Sequence, residues 1–311
     1  MTLEELYKQG TATLKEAGIE NPSVDAFYLL EYAAGIDKKK YLLFKEQKVS
    51  ELNIKQYTDL IEKRTTRIPY QYITGRADFA GLTFEVNEHV LIPRLDTEIL
   101  FEQALRKLKH RAYVLDLCTG SGALGIALKR YRPDIHMVMS DISVEALDVA
   151  NANVGHNHMS VAEKTGQAND PDDLIYGYDL FYNIRLIQSD LFDNMAANES
   201  EVSEDKTLTG RFDVIVSNPP YVTNAEYEEL MPEVKNHEPK LALTAGEDGL
   251  DMYRRIAADA PKFLTDEGVL LLEIGCSQAE AVSELLKENG FKDITVVKDL
   301  AELDRVIICH K

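Results

Sequence analysis

Short apolar runs alternate with amphipathic segments between residues 113 and 309, and this alternation is the strongest constraint on the fold. The apolar runs predict strands at 113–117, 136–141, 184–188, 213–217, 268–274, 293–297 and 305–309. Helical patterns fall between them at 124–131, 143–154, 250–264 and 278–288. Strands that are apolar along their whole length are typically buried on both faces. The pattern therefore predicts an α/β fold, a doubly wound sheet with helices on both sides.

A glycine-rich turn follows the first predicted strand of this sheet. Asp116 precedes it, and the turn itself consists of Cys118, Thr119, Gly120, Ser121 and Gly122. Glycine lets the backbone turn tightly against a ligand, and the next helix begins there with free N–H groups. With Gly125 the spacing also matches the fingerprint of dinucleotide sites, and Asp141 follows after about twenty residues, where an acid can bind ribose hydroxyls. The two motifs together predict a cofactor that contains adenosine.

The acidic residue before the turn favours one adenosine cofactor over another. In a dinucleotide site the turn faces a pyrophosphate, beside which the negative charge of Asp116 is unfavourable. A cofactor with a positively charged ammonium and sulfonium suits that charge. The sequence therefore favours S-adenosylmethionine, with a nicotinamide dinucleotide as the alternative.

A rigid tetrad of Asn218, Pro219, Pro220 and Tyr221 comes directly after the predicted strand 213–217. At the carboxyl end of a strand in a doubly wound sheet, this segment borders the ligand crevice. The two prolines fix φ and carry no N–H donor, which leaves nearby carbonyl groups free to accept. Asn218 adds a short amide, and Tyr221 adds a flat aromatic face.

This tetrad suits methylation of a planar amide or aromatic amine nitrogen, whose delocalised lone pair makes it a poor nucleophile. Hydrogen bonds from that nitrogen to the Asn218 side-chain oxygen and the Pro219 carbonyl would raise its electron density. Stacking on Tyr221 would hold the planar group in line, so that positioning supplies much of the rate. We therefore predict that Asn218, Pro219 and Tyr221 are catalytic, that Pro220 completes the substrate site, and that Asn218 also borders the cofactor.

The chain before the sheet has a different character. Apolar residues in 1–75 recur at helical spacing without any cluster of catalytic residue types, and 76–95 contains short extended pieces. Helical periodicity returns from Asp96, where Asp96 or Thr97 is a candidate cap, and Ser277 with Glu280 predicts a capping box for the last helix. We predict a helical docking domain at 1–75, a hairpin connector at 76–95 and a catalytic domain at 96–311.

Charge and composition exclude several classes of protein. The 311 residues include 53 acidic and 34 basic ones, a formal net charge of −19, which disfavours a main role in binding naked nucleic acid. No apolar run approaches the ~20 residues of a membrane span, and the N-terminus is too polar for a secretion signal. Cys118, Cys276 and Cys309 form no CxxC pair, so neither a disulfide framework nor a zinc site is indicated. We expect a cytoplasmic globular protein without a stable nucleic-acid or membrane partner.

Two polar stretches interrupt the alternation at 155–183 and 194–210. Their composition predicts mobile surface insertions. His156 and His158 in the first stretch are more typical of solvated loop side chains than of metal ligands, because no third ligand accompanies them.

Several motifs make the sequence resemble the HemK-type release factor glutamine methyltransferases, which belong to the Rossmann-like S-adenosylmethionine-dependent methyltransferases. The matching segments lie at 69–75, 91–94, 96–98, 116–122, 141–143, 218–221, 238–239, 246–250 and 304–306. The tetrad alone is shared with DNA adenine methyltransferases. The segment Pro-Arg-Leu-Asp-Thr-Glu at 93–98, together with the helical N-terminal block, is more specific.

The resemblance implies methylation of the amide nitrogen (N5) of the glutamine in the Gly-Gly-Gln loop of class 1 peptide chain release factors. It implies a helical domain that docks the release factor, a hairpin connector and a seven-stranded sheet. Residues 119–122 would hold the methionine part of the cofactor, Asp141 the ribose, and Asp190 or Leu191 would lie near the adenine. The sequence departs from the family where Cys118 replaces a usual glycine, where Leu95 replaces a usual proline or glutamine, and where Leu191 replaces the tryptophan of some relatives.

Other functions remain as alternatives. The same tetrad could methylate an amino group of a nucleic-acid base, or a glutamine of another translation protein such as a ribosomal protein. The glycine fingerprint could serve a nicotinamide oxidoreductase, which would have no use for the tetrad. A binding module without catalysis would bind the cofactor but show no turnover.

Overall fold

The computed structural model describes residues 1–158, 184–195 and 208–311, which form two compact units. The helical unit contains Met1–Arg76 and Leu230–Glu238. The sheet unit contains Ala77–Glu229 and Pro239–Lys311. The segment Leu230–Glu238 therefore belongs to the helical unit, although its place in the sequence predicts that it is part of the domain at 96–311.

Amphipathic helices build the helical unit around a small apolar core. Their bounds are α1 Leu3–Glu16, α2 Pro22–Ala34, α3 Lys38–Phe44, α4 Glu51–Thr65 and α5 Tyr70–Thr74, with a further short helix at Pro232–Lys235. Leu6, Leu14 and Leu30 are buried completely or nearly so, as expected for residues at helical spacing on one face. The Tyr57 hydroxyl on α4 donates to the Ala26 carbonyl on α2 at 3.2 Å, which satisfies the one polar group of this buried ring.

A buried ion-pair network holds the distant segment in the helical unit. Arg64 on α4 is only 5% exposed. Its Nε donates to Asp25 Oδ2 at 2.6 Å, and its Nη2 donates to Glu233 Oε1 at 3.0 Å. A buried guanidinium needs such partners, because an unpaired charge in an apolar interior is costly. Glu233 thus ties its segment to α4, and Arg64 in turn links α4 to Asp25 on α2.

The expected hairpin is confirmed. Strands β1 Arg76–Phe79 and β2 Leu82–Glu85 form a two-stranded sheet. Ala80 and Gly81 connect them with φ of 48° and 75°, as a two-residue turn between twisted strands requires. Phe79 and Phe84 are buried and pack against the core of the sheet unit.

The sheet unit contains a seven-stranded sheet among its described residues, in the order β5-β4-β3-β6-β7-β9-β8. The strands are β3 Tyr113–Leu117, β4 His136–Asp141, β5 Ile184–Gln188, β6 Phe212–Ser217, β7 Leu264–Glu273, β8 Lys292–Lys298 and β9 Asp304–His310. The helices are α6 Thr97–Lys107, α7 Ala123–Tyr131, α8 Val144–His158, α9 Asn224–Glu229, α10 Asp251–Phe263 and α11 Ala279–Glu288. Strands β3 to β7 pair in parallel, and β9 runs antiparallel to β7 and β8. The predicted doubly wound α/β fold is confirmed.

Both faces of the central strands are buried, which explains their continuous apolar sequence. Leu115 and Ile215 belong to a core cluster that includes residues of α10 and α11. Their neighbours Val114 and Val214 belong to a second cluster, which includes residues of α6 and α7. Successive side chains of a strand point to opposite faces, so helices cover the sheet on both sides.

Two elements extend beyond their predicted bounds by four residues. β7 begins at Leu264 rather than at residue 268, because Leu264 is fully buried and pairs with Phe212. α8 continues through residues 155–158, so His156 lies on a helix and not on a loop, with its Nδ1 4.0 Å from Glu85 Oε1. The rest of the insertion at 155–183, and 196–207 of the insertion at 194–210, lie outside the described residues.

The described ranges contain no helix with the length and apolar character needed to cross a bilayer. They also contain no group of three His, Cys, Asp or Glu side chains that could hold a metal ion. The neighbours β3 and β6 mark the point where the sheet order reverses. In open α/β sheets, ligands bind at the carboxyl ends of the strands at this point.

Candidate active site

A cavity of about 370 Å³ lies at the carboxyl ends of β3, β4, β5 and β6. Its volume is in the range of small-molecule sites. The lining includes ten predicted site residues, which are Asp116, Cys118, Thr119, Gly120, Ser121, Asp141, Asp190, Leu191, Asn218 and Pro220. Gly122, Pro219 and Tyr221 are not part of the lining found among the described residues. The fold thus brings together the turn, the acid after β4 and the first residue of the tetrad.

Asp116 holds the glycine-rich turn in shape. Its Oδ2 accepts from Thr119 Oγ1 at 2.6 Å and from the Gly125 N–H at 2.9 Å. The side chain is almost fully buried, and burial raises the pKa of Asp116 to about 7. From the sequence, Asp116 is predicted to complement a cofactor ammonium. One carboxylate oxygen is used by the turn and the start of α7, and the side chain lies at the cavity wall.

The turn uses the left-handed region of φ at three positions. Gly120 and Gly122 have φ of 54° and 81°, and Cys118 between them and the strand has φ of 62°. A left-handed φ is strained for a residue with a Cβ, so Cys118 holds a conformation that the two glycines adopt without strain. Gly125 is required for packing instead, because a Cβ there would lie 2.6 Å from Met139 Sδ on β4.

Asp141, the last residue of β4, binds the backbone on two sides of the cavity. Its Oδ2 accepts from the Gly120 N–H at 2.8 Å, and its Oδ1 accepts from the Ser143 N–H at 3.0 Å. Burial raises the pKa of Asp141, and these two hydrogen bonds oppose the rise. Each oxygen of an ionised carboxylate has a second lone pair. Asp141 is therefore fixed in place and can still accept from a ligand.

Asp190 and Leu191 lie after β5 at the far side of the cavity. Asp190 Oδ1 is 2.8 Å from Nη1 of Arg255 on α10, and Arg255 also lines the cavity. Leu191 has φ of 50° and is 6% exposed, so it packs into the core behind the site. This wall therefore combines an ion pair with an apolar surface.

Asn218, the first residue after β6, is held by a side chain from another part of the sheet unit. Its Nδ2 donates to Oγ1 of Thr97 at 3.1 Å, and both residues line the cavity. Thr97 is the first residue of α6, after an Asp96 that makes no side-chain cap. The Thr97 hydroxyl thus bonds to the tetrad and does not cap its own helix.

The end of the tetrad is held by Gln278, the residue before α11. Gln278 Nε2 donates to the carbonyls of Tyr221 and Gly249 at 3.0 and 3.2 Å, while its Oε1 accepts from the Gly275 N–H at 3.0 Å. The Tyr221 ring packs against the core cluster, and burial raises its pKa to about 12. The predicted capping box of Ser277 and Glu280 is wrong, since Gln278 is the cap residue and makes no side-chain cap bond. The Gln278 amide instead bonds to the backbone of the loops that contain Tyr221, Gly249 and Gly275.

Backbone pairing after the tetrad further restrains it. The Val222 N–H donates to the Leu243 carbonyl at 2.9 Å, and the Ala245 N–H donates to the Val222 carbonyl at 2.9 Å. Asn224 N–H donates to the Gly246 carbonyl at the same distance of 2.9 Å. The tetrad is therefore fixed at both of its ends.

Three residues of this site, Thr97, Arg255 and Gln278, were not predicted as site residues from the sequence. Thr97 lies in the segment 93–98 that carries the family resemblance, and that motif could have identified it as a site residue. Arg255 and Gln278 contact loops that are distant in sequence, and no local pattern marks either residue.

Two family models match the sequence. The "PrmC N-terminal domain" matches residues 5–75, and the "Methyltransferase small domain" matches residues 94–174. A release factor glutamine methyltransferase of Clostridium acetobutylicum is 35% identical over 310 residues, which cover 99% of this chain and 98% of the relative. One of Geobacter sulfurreducens is 35% identical over 294 residues, which cover 94% of this chain and 91% of that relative.

A solved structure agrees at the level of the fold. A methyltransferase from Pyrococcus furiosus superimposes with a TM-score of 0.50 at 18% identity, over 80% of this chain and 98% of the other. The sequence matches at 35% identity cover nearly the whole chain, so they show the family and not only the fold. The chain belongs to the release factor glutamine methyltransferase family.

Proposed function

We propose that this protein transfers a methyl group from S-adenosylmethionine to N5 of the glutamine in the Gly-Gly-Gln loop of class 1 peptide chain release factors, in the cytoplasm. The observation that carries the proposal is the Asn218 carboxamide. Its nitrogen donates to Thr97 at 3.1 Å, so its oxygen is left to accept from a substrate N–H. The names of the relatives agree with this substrate.

The cavity suits S-adenosylmethionine, which carries an electrophilic methyl group on its sulfonium. Residues 119–122, with the close backbone approach at Gly120, would hold the methionine part. Asp141 would bind the ribose through the lone pairs that its two backbone hydrogen bonds leave unused. Asp190 and the apolar side chain of Leu191 would lie beside the adenine.

The tetrad would prepare the substrate nitrogen by accepting its two N–H groups. Asn218 Oδ1 would take one, and the Pro219 carbonyl would take the other. These bonds raise electron density on the nitrogen and aim its lone pair. The nitrogen would bond to the methyl carbon as the carbon–sulfur bond breaks and leaves a neutral thioether. It would then lose one proton to water, so no strong base is needed. The half-buried Tyr221 would hold the planar amide.

Transfer of labelled methyl groups tests this proposal. Incubation with S-adenosylmethionine that carries a labelled methyl should label a class 1 release factor, while duplex DNA should receive none because the chain is strongly acidic. Label in DNA but not in the release factor would instead support the base-methylating alternative.

Asp141→Ala is expected to weaken binding of S-adenosylmethionine more than it affects the chemical step. Hydrogen bonds to a charged group contribute about 1.5–3 kcal/mol, so the Kd should rise about 10- to 100-fold in a calorimetric titration. Asp148→Ala on the exposed face of α8 is the matched control, and its Kd should equal that of the unmodified protein. An unchanged Kd for Asp141→Ala would contradict the ribose assignment.

We further propose that the helical unit docks the release factor. Its α3 exposes Leu42, Leu43 and Phe44 by 65%, 67% and 54%, next to three consecutive lysines. Exposed apolar patches of this kind mark protein-binding surfaces. Leu43→Ser should raise KM for the release factor about 3- to 10-fold in steady-state assays. Leu300→Ser, at a fully exposed leucine of the sheet unit, is the control, and equal KM values for both variants would argue against this surface.

A further inference from the structure

We propose that Thr97 and Glu273 are positioning residues that fix which way the Asn218 carboxamide points, an inference that rests on the proposed function. Neither residue need touch the substrate. Together they would keep the Asn218 oxygen, rather than its nitrogen, directed at the substrate amide.

The direction of the Asn218 amide decides whether the site can work. The oxygen and nitrogen ends of a carboxamide have nearly the same shape, but one accepts and the other donates. A substrate NH₂ group needs an acceptor. If the Asn218 amide turned over, two donors would face each other and the lone pair would lose its alignment.

Thr97 can select the correct orientation only if its hydroxyl accepts from Asn218. The observed bond runs from Asn218 Nδ2 to Thr97 Oγ1 at 3.1 Å. A hydroxyl can also donate, and a donating Thr97 would favour the inverted amide. The Thr97 proton therefore needs an acceptor elsewhere.

Glu273, the last residue of β7, is that acceptor. The Thr97 side chain hydrogen-bonds to its carboxyl group. Glu273 is only 1% exposed, and its Oε2 has no hydrogen-bond partner among the described residues. An ionised carboxylate accepts and never donates. Glu273 in this form forces the Thr97 proton toward itself and leaves Thr97 Oγ1 to accept from Asn218.

The ionisation of Glu273 should therefore control the rate. Burial raises the pKa of Glu273 to about 7, and the Thr97 hydrogen bond with the charges of Arg305 and Arg94 opposes this rise, whereas Asp96 adds to it. Tyr221 and the buried Tyr253 of α10 also interact electrostatically with this carboxyl group, and the Tyr253 hydroxyl donates to the Glu273 backbone carbonyl at 2.8 Å. A protonated Glu273 can itself donate to Thr97, which releases the hydroxyl. We expect kcat to fall as the pH drops through about 7.

Variants at Thr97 test the chain of hydrogen bonds from Glu273 through Thr97 to Asn218, with a full-length release factor as substrate. Thr97→Val keeps the volume but removes the hydroxyl, and kcat should fall about 30-fold with little change in the Kd of S-adenosylmethionine. Thr97→Ser should recover most of that loss. Thr265→Val, at the opposite end of β7, should behave like the unmodified protein. Equal kcat values for Thr97→Val and Thr97→Ser would overturn the proposal.

Glu273→Gln separates positioning from a role in stability. A raised pKa means that the protonated form fits the fold better, so this stabilisation is present at acid pH and is lost as the pH rises through about 7. At pH 8 the glutamine variant should unfold at the same Tm as the unmodified protein or at a higher one. Its kcat should nevertheless be about 10-fold lower and nearly constant between pH 6 and 8.

Two outcomes would contradict this assignment. The first is a kcat of Glu273→Gln that falls with decreasing pH in the same way as that of the unmodified protein. The second is a lower kcat of this variant that is accompanied by a lower Tm. If the unmodified protein does not methylate the release factor at all, the proposed function fails. If it does so while both Thr97→Val and Glu273→Gln keep full kcat, only the positioning roles fail.

Discussion

Asn218→Ala is expected to lower kcat for release factor methylation about 100- to 1000-fold. The change removes the side-chain oxygen that accepts the substrate N–H, and loss of one such positioned group has effects of this size in other enzymes. The fold should persist, because Asn218 lies at the cavity wall and its deletion removes little core volume. Single-turnover kinetics with saturating S-adenosylmethionine measures the effect, and thermal unfolding checks the fold.

Asn289→Ala is the matched control for this prediction. Asn289 is exposed at the end of α11, where its Nδ2 donates to the Leu285 carbonyl at 2.8 Å. This variant should keep full kcat. If Asn218→Ala kept kcat within threefold of the control, Asn218 would not be the acceptor for the substrate amide.

Gly249→Ala is expected to damage the site from a distance. Gly249 has φ of 72°, and a Cβ there would lie 2.4 Å from the Tyr221 carbonyl oxygen and 2.7 Å from Gln278 Nε2. Either the backbone of the tetrad or Gln278 must move, and a shift of about 1 Å at a reacting group costs about 100-fold in rate. We expect at least that loss in kcat, and a fall of about 2–3 kcal/mol in the free energy of unfolding.

Gly290→Ala separates the clash from backbone strain. Gly290 has φ of 89°, but a Cβ there would meet nothing within 4 Å. Its cost should be limited to about 1 kcal/mol in unfolding by urea, with kcat unchanged. Equal effects of the two substitutions on kcat would mean that Gln278 and Gly249 do not hold the tetrad.

Burial on both faces made most of the sheet predictable from the sequence. β3 and β4 have the predicted bounds, because nearly every position of such a strand is constrained by a neighbouring layer. The edge strand β5 also has its predicted bounds, but none of its residues is fully buried. The cavity residues on the turn, Asp141 and the start of the tetrad were predictable for a related reason. They follow successive parallel strands, and the carboxyl ends of those strands share one edge.

Contacts between residues far apart in the chain were not predictable. Glu233 pairs with Arg64 across 169 positions, so no local pattern assigns its segment to the helical unit. Gln278 contacts the Tyr221 carbonyl across 57 positions. Sequence periodicity also cannot decide between two possible partners of one side chain. Thr97 is a candidate helix cap by its position, but its hydroxyl accepts from Asn218.

The most direct test of the central claim is tandem mass spectrometry of a class 1 release factor after incubation with this protein and S-adenosylmethionine. We predict a gain of one methylene on the glutamine of the Gly-Gly-Gln loop, with fragment ions that assign it to the side-chain nitrogen. The gain should be absent with a release factor in which that glutamine is alanine, and nearly absent with the Asn218→Ala variant. A methyl group on any other residue of the release factor, or full methylation by Asn218→Ala, would contradict the claim that this tetrad presents a glutamine amide for methylation.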